Sequence, residues 1–262
     1  MRDSKVYKLE VVAIIPARMN SRRFNGKPLK KILSIPLIGH CYFRCRIALG
    51  PKKVFVATCD KEIKDYVKSI GGNVVMTSKN HKRASTRTAE ALLKIEKKLN
   101  KKIDVILMYQ GDEPLGLPKN IKEMFRVFRN KSVGVANLIY KSSSQKLLLD
   151  KNNVKIVTDK FGKALYFSRE MIPSPWLKQS NYSGLIQTGI IAFRRNKLML
   201  FNKTKETPLE ILESVDLNRL LENSEPIHTV LSGNINISVD NINDLKVAEK
   251  LIKKDVVYSK YK

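Results

Sequence analysis

Short apolar runs rich in β-branched residues alternate with segments of helical spacing through the first half of the chain. This alternation constrains the fold more than any other feature. Residues 11–15 form the first run, and a polar loop begins at Pro16. Residues 36–49 read as a helix and 54–58 as a strand, and Ile63, Val67 and Ile70 mark a second helix that Gly71-Gly72 ends. A short strand follows at 74–76. Ala89, Leu92, Leu93 and Ile95 give helical spacing across 86–99, residues 104–109 read as a buried strand, and Pro118 opens another helix. Strands of buried type separated by helices predict an α/β fold, with a Rossmann-like, mostly parallel sheet covered by helices.

The second half is less regular. Residues 134–140 read as a strand and 141–149 as a loop. An antiparallel pair is expected at 154–157 and 164–168, turning at Phe161-Gly162. Further strands are expected at 188–193, 228–231 and 235–239, with helices at 208–221 and 242–254. The last helix carries Asp244 in its first turn and Lys253 and Lys254 in its last, as the helix dipole favours. No repeat, heptad array or linker divides the chain. A single domain over 1–262 is expected, with about 140–220 as a smaller insert rich in strands and helices.

The 50 basic residues exceed the 24 acidic ones by 26. Such an excess raises the question of a nucleic-acid partner. Thirty-six of the 50 are Lys, spread along the whole chain, with no Arg-rich arm and no aromatic–basic interleaving. That distribution suits a codon bias toward Lys, Asn and Ile and argues against a nucleic-acid site. No run approaches the ~18 apolar residues of a membrane span, and the first ten residues lack the apolar core of a signal peptide. Three cysteines without zinc spacing fit a reducing cytoplasm.

The loop after the first strand is the richest in chemistry. It places Ala17, Arg18, Ser21, Arg22, Arg23, Gly26 and Lys27 outside the carboxyl end of the sheet, where open α/β folds bind ligands. Arg presents a planar fork to phosphate oxygens and Lys a mobile point charge. The Walker A pattern is absent. From charge alone, a solvated basic loop accounts for the segment equally well. Two carboxylates, Asp112 and Asp240, are each expected just past a strand. A capping role is the alternative for both, and Asp240, beside Asn241 and before a helix, is the better candidate for it. Glu113 and Asp244 read as supporting or helix-start residues. His40 reads as helix surface, and no Ser-His-Asp set is visible.

The order Pro16-Ala17-Arg18, Ser21, Arg23, Gly26-Lys27-Pro28-Leu29 resembles the start of the acid-sugar cytidylyltransferases, specifically the CMP-Kdo synthetases (3-deoxy-manno-octulosonate cytidylyltransferases). Gln110-Gly111-Asp112-Glu113-Pro114 is the second match. Tyr166-Phe167-Ser168-Arg169, Gly189-Ile190, Pro208-Leu209-Glu210 with Glu213, and Val239-Asp240 extend it in order over roughly residues 10–252. The resemblance implies a fold of the nucleotide-diphospho-sugar transferase type. It implies transfer of CMP from CTP to a 2-keto-3-deoxy acid sugar with release of pyrophosphate. The product would feed an envelope polysaccharide such as lipopolysaccharide.

It also implies Mg²⁺ held by Asp112 and Asp240, and Arg18 and Lys27 acting with them in catalysis. Nucleotide contacts would come from Ala17, Arg18, Ser21, Arg22, Lys27, His81, Arg87 and Gln110. Acceptor contacts would come from Gln110, Tyr166, Gln187, Glu210 and Glu213, and the protein would be a homodimer. Glu210 and Glu213 lie three apart on one expected helix face, with Asp216 extending an acidic stripe; a solvated face is the alternative. The sequence departs from the family pattern at Arg83-Ala84-Ser85-Thr86, inside the segment that family members place around cytosine. Gln187-Thr188 stands where they carry a His before the Gly. These departures leave open a related nucleotidyltransferase, such as an acylneuraminate type, an amino-Kdo acceptor, or a degenerate nucleotide-sugar binder.

Overall fold

A computed structural model describes residues 9–20, 24–176 and 182–262. The first strand, β1 (Val11–Pro16), leads through a loop to a small hairpin, β2 (Lys31–Ile32) and β3 (Ile35–Pro36), and then to α1 (Leu37–Leu49). The order continues with β4 (Val54–Thr58), α2 (Lys61–Ser69), β5 (Asn73–Met76), α3 (Ala84–Leu99), β6 (Val105–Tyr109) and α4 (Pro118–Arg126). The second half comprises β7 (Val135–Ser142), α5 (Gln145–Leu149), β8 (Lys155–Thr158), β9 (Ala164–Ser168) and β10 (Gly184–Arg194). It ends with α6 (Arg195–Lys203), α7 (Pro208–Glu213), α8 (Asn218–Glu222), β11 (Ile227–Leu231) and α9 (Ile242–Lys253).

Among the described residues the main sheet has nine strands, seven of them in the order β11-β7-β10-β6-β1-β4-β5. β6, β1, β4 and β5 run parallel, and β10 is antiparallel to both of its long neighbours, β6 and β7. The parallel centre of this α/β fold is what the alternation predicts; the antiparallel β10 and its hairpin neighbours are additions to it. The chain moves from β1 outward to β5, then crosses back to lay β6 on the other side of β1. That reversal is the topological switch point at which such sheets open a crevice. The β8–β9 hairpin attaches to the first residues of β10.

The strand residues are buried on both faces, which is why they read as unbroken apolar runs. Val12, Ile14, Ile106 and Met108 pack under α3, α6 and α8. Ala13, Ile15, Val105 and Leu107 pack under α1, α2 and α4. Burying each large aliphatic side chain is worth about 1.5–3 kcal/mol. A separate cluster joins Ile32, Leu37, Leu115 and Val239 to Leu245, Ala248 and Ile252 of α9. It fastens the end of the chain beside the β6 exit, which places Asp240 near residues more than a hundred positions earlier.

Four expectations are corrected. Residues 141–149 are not a loop, because β7 runs on to Ser142 and α5 occupies Gln145–Leu149. Residues 208–221 are two short helices rather than one, broken where Ser214 takes φ 51°. Residues 235–239 form no strand; the segment is irregular and is held by Val239 N–H donating to the Asp112 carbonyl at 2.9 Å. His40 is fully buried rather than on the helix surface. Its Nε2 lies 3.0 Å from the Ile32 carbonyl and its Nδ1 2.9 Å from the Tyr261 hydroxyl. No helix among the described residues is long and apolar enough to cross a membrane.

Candidate active site

The exits of β1 and β6, the two strands at the switch point, supply the heart of the site. After β1 the chain turns through Gly26, whose φ of 67° a side chain would oppose, into a single 3-10 turn at Lys27–Leu29. The turn aims Lys27 back across the sheet ends. Its Nζ donates to Asp112 Oδ2 at 2.6 Å and to Asp240 Oδ1 at 3.2 Å. Burial disfavours the ammonium, yet the two carboxylates outweigh it and hold its pKa above the ordinary lysine value. Asp240 does not cap α9: Asn241 does, through its side-chain oxygen. Asp244 accepts from the Asp240 and Asn241 amides at 2.9 and 3.1 Å, so it fixes the backbone that presents Asp240. This is the supporting role the sequence suggested.

Two cavities meet at this point. One, of about 790 Å³, is lined by Ala17, Arg18, Lys27, His81, Arg87 and Gln110, and reaches Asp112. The other, of about 490 Å³, is lined by Gln110, Asp112, Asp240 and Gln187, with Asp150, Arg169 and Asp216 farther round. Arg18 donates to the His81 carbonyl at 3.2 Å, which closes one wall of the first cavity. His81 Nε2 pairs with Glu90. Arg87 is buried and donates to Thr77 Oγ1 at 2.6 Å, leaving its other terminal nitrogen without a partner among the described residues, beside the cavity. The expected contacts Ser21 and Arg22 lie outside the described residues.

The second cavity owes its shape to an irregularity in β10. The register against β7 shifts between Gln187 and Ile191, so Gln187, Thr188 and Gly189 bulge toward the β6 exit. A Cβ on Gly189 would sit 2.8 Å from the Gln110 side chain, so only glycine permits the approach. Glu113, 1% exposed, accepts from Gly189 N–H and Ser238 Oγ, both at 2.6 Å. Burial, and then the charge of Asp112, push its carboxyl up to about 7.

Three acceptor expectations are corrected. Glu210 is fully buried and forms a two-point ion pair with Arg219, both contacts at 2.6 Å. Glu213 accepts from Ser168 Oγ at 2.7 Å and the Arg169 amide at 2.8 Å, and Tyr166 donates to the same carboxylate at 3.2 Å. These side chains brace α7 and β9 and line neither cavity. The supposed acidic stripe fails because α7 ends at Glu213 and the chain reverses at Ser214 before Asp216. Asp216 does line the second cavity, where it pairs with Arg83. Arg83 also donates to Glu206 at 2.5 Å and borders both cavities. Sequence reasoning noticed Arg83 as a departure and missed its partners. Part of the role of Glu210 was legible in the capping-box spacing Thr207-x-x-Glu210, since its carboxylate accepts from the Thr207 amide at 3.4 Å.

Among the described residues, no cluster of three or more His, Cys, Asp or Glu forms a metal cage. Magnesium needs less when phosphates and water complete its shell: one or two carboxylates suffice. Asp112 Oδ1 is buried without a hydrogen-bond partner among the described residues, next to Asp240 and at the mouth of both cavities. That orphaned oxygen and the all-oxygen donor set fit the ion.

A cation-lined cleft at a switch point, closed by two carboxylates and continuous with a polar second cavity, defines a nucleotide-dependent transferase of the α/β class. The model of the cytidylyltransferase family matches residues 12–227, and the chain belongs to that family. A 3-deoxy-manno-octulosonate cytidylyltransferase of Geobacter metallireducens is 37% identical, over 93% of this chain and 98% of that one. An 8-amino-3,8-dideoxy-manno-octulosonate cytidylyltransferase of Shewanella loihica is 34% identical, over 92% and 98%. A CMP:2-keto-3-deoxy-manno-octonic acid synthetase solved in complex with CTP superposes with a TM-score of 0.84 at 31% identity, covering 94% of this chain and 99% of that one.

Proposed function

We propose that the protein transfers CMP from CTP to the anomeric hydroxyl of a 2-keto-3-deoxy acid sugar, Kdo or its 8-amino analogue, and releases pyrophosphate. The observation that carries this reading is the junction at Lys27, Asp112 and Asp240, where the cation-lined and the carboxylate-rich cavities open onto one another. The first cavity takes the nucleotide, and the second takes the sugar. The sugar hydroxyl oxygen bonds to the α-phosphorus, the bond between that phosphorus and the β-bridging oxygen breaks, and the hydroxyl proton leaves to solvent.

Asp112 and Asp240 would hold Mg²⁺, which when bound neutralises phosphate charge and orients the oxygens around the reacting phosphorus. Lys27, held by both carboxylates, places one further positive charge where charge develops on the phosphates. Arg18 and Arg87 orient the triphosphate and the nucleoside from the first cavity's walls, and Gln110 stands where the two substrates meet.

The reading further includes one domain, with residues 140–220 supplying the acceptor side, and a homodimer through that segment. Exposed Leu165, Ile211 and Leu212 in the same segment support the dimer, and a monomer mass in solution would remove it. Free Cys41, Cys45 and Cys59 fit a cytoplasmic enzyme. The central test is pyrophosphate release with CTP, Mg²⁺ and a panel of acid sugars. Release is expected with Kdo or its 8-amino analogue. Its absence with every sugar and each of the four nucleoside triphosphates would sink the reading.

A further inference from the structure

We infer that Glu113 is an acceptor-binding residue, which takes a hydroxyl of the sugar on its second carboxylate oxygen. The inference rests on the proposed reaction and adds to it a contact for the sugar. Glu113 belongs to the wall of the second cavity and is 1% exposed. Its two oxygens have different fates. Oε1 accepts from the Gly189 amide and from Ser238 Oγ, both at 2.6 Å. Oε2 is buried and has no hydrogen-bond partner among the described residues.

A buried carboxylate oxygen without a donor is costly, and proteins rarely leave one. Here the surroundings hold the side chain in place instead of satisfying it. Oε1 is fixed by two donors from two different segments, the β10 bulge and the irregular stretch before Asp240. The Glu113 backbone is fixed as well, because its carbonyl accepts from the Tyr109 hydroxyl at 2.5 Å. Oε2 is therefore a pre-positioned acceptor beside Asp112. Gln187 Oε1, on the same cavity wall, is likewise buried without a partner. Oxygen acceptors without donors in a cavity of about 490 Å³ select a ligand that brings its own O–H groups. A polyhydroxylated sugar does so, and the triphosphate in the neighbouring cavity does not.

Glu113→Gln tests this directly. The amide can keep an oxygen toward Gly189 and Ser238 while turning the free position from an acceptor into a donor. The expected result is a rise of about tenfold or more in KM for the acid sugar, with KM for CTP within about twofold of wild type. Among acid-sugar analogues each lacking one hydroxyl, one should be used equally well by wild type and variant. Glu113→Asp, which withdraws the oxygen by one methylene and keeps the charge, should show the same split if the glutamine variant does not fold. Three results overturn the inference: an unchanged sugar KM, equal rises in both KM values, or the same loss with every analogue. If wild type itself releases no pyrophosphate with any sugar, the proposed reaction fails and this inference fails with it. An active wild type with an insensitive Glu113→Gln variant removes Glu113 alone.

Discussion

The two regions of the molecule use their charged residues in opposite ways. In the parallel region, β1 and β4–β6 with their loops, the charges at strand exits converge on a cleft: Lys27, Asp112 and the distant Asp240 meet within hydrogen-bond reach. In the region of β7–β10 and α6–α8, many charges are consumed by one another. Glu210 pairs with Arg219, Glu213 clasps the 168–169 turn, and Arg83 joins Glu206 and Asp216. The difference follows from backbone regularity. Parallel strands of buried type need no polar help, so the polar residues at their ends remain available to a ligand. Two helices of six and five residues have little propensity of their own, and buried ion pairs and caps hold them in place.

The largest effect expected from this contrast is on turnover. Asp112→Ala should lower the rate of pyrophosphate release by about 10³-fold or more, since one carboxylate that would meet the metal is lost and Lys27 loses its shorter partner. The unfolding midpoint should change little, because Asp112 contributes nothing to the apolar clusters. Near-normal rates would take Asp112 out of the metal site and break the claim that the strand exits serve the ligand.

Glu210→Gln probes the other region. Removing one charge from the buried pair leaves the Arg219 guanidinium under-compensated, and such changes cost about 3–5 kcal/mol. Denaturant unfolding should show that loss as a lower midpoint at constant slope, while KM for the acid sugar stays within about twofold. A raised sugar KM with undiminished stability would place Glu210 in the acceptor site after all and erase the distinction between the regions.

The same contrast explains what could be read from the sequence. β1, β4, β6 and the basic loop were legible because period, punctuation and position agree there, and Asp112 was legible as a strand-end carboxylate. Asp240 was found for an incorrect local reason. The segment leading directly into it, 235–239, is not a strand, and its placement depends on Val239 bonding to the Asp112 carbonyl and on α9 packing against Leu115. Such contacts across more than a hundred residues leave no local trace. Tyr166, Glu210 and Glu213 were assigned to the acceptor by resemblance, and their ties to Arg219, Ser168 and Arg169 have no local signature; the acidic stripe failed because helical spacing was extended to Asp216 through Ser214, where the backbone turns left-handed. Glu113 was noticed beside Asp112, but its one-sided bonding is a property of three segments brought together, and no single segment displays it.

The smallest expected effect concerns acid stability, and it separates the two regions by pH. Burial lowers the His40 pKa from 6.5 to about 4, against the opposing influence of the Ile32 carbonyl. Between those values the unfolded His40 binds a proton that the folded one does not, so its contribution to stability falls as pH drops from about 6.5 toward 4, while Glu113, whose carboxyl is raised to about 7, works in the opposite sense over the same range. For Glu213, burial works to raise the pKa, but the Arg169 amide and the Ser168 and Tyr166 hydroxyls outweigh it and hold the carboxyl below 4.5. Its contribution is present above 4.5 and is lost only as pH falls further. His40→Gln, which can still donate an amide hydrogen to the Ile32 carbonyl, should remove the His40 contribution, so that the variant loses less stability than wild type as pH falls from 6.5 to 4.5, and should leave the loss below 4.5 in place. An unchanged slope in the upper window would mean that burial of His40 is not what makes the parallel region sensitive to acid.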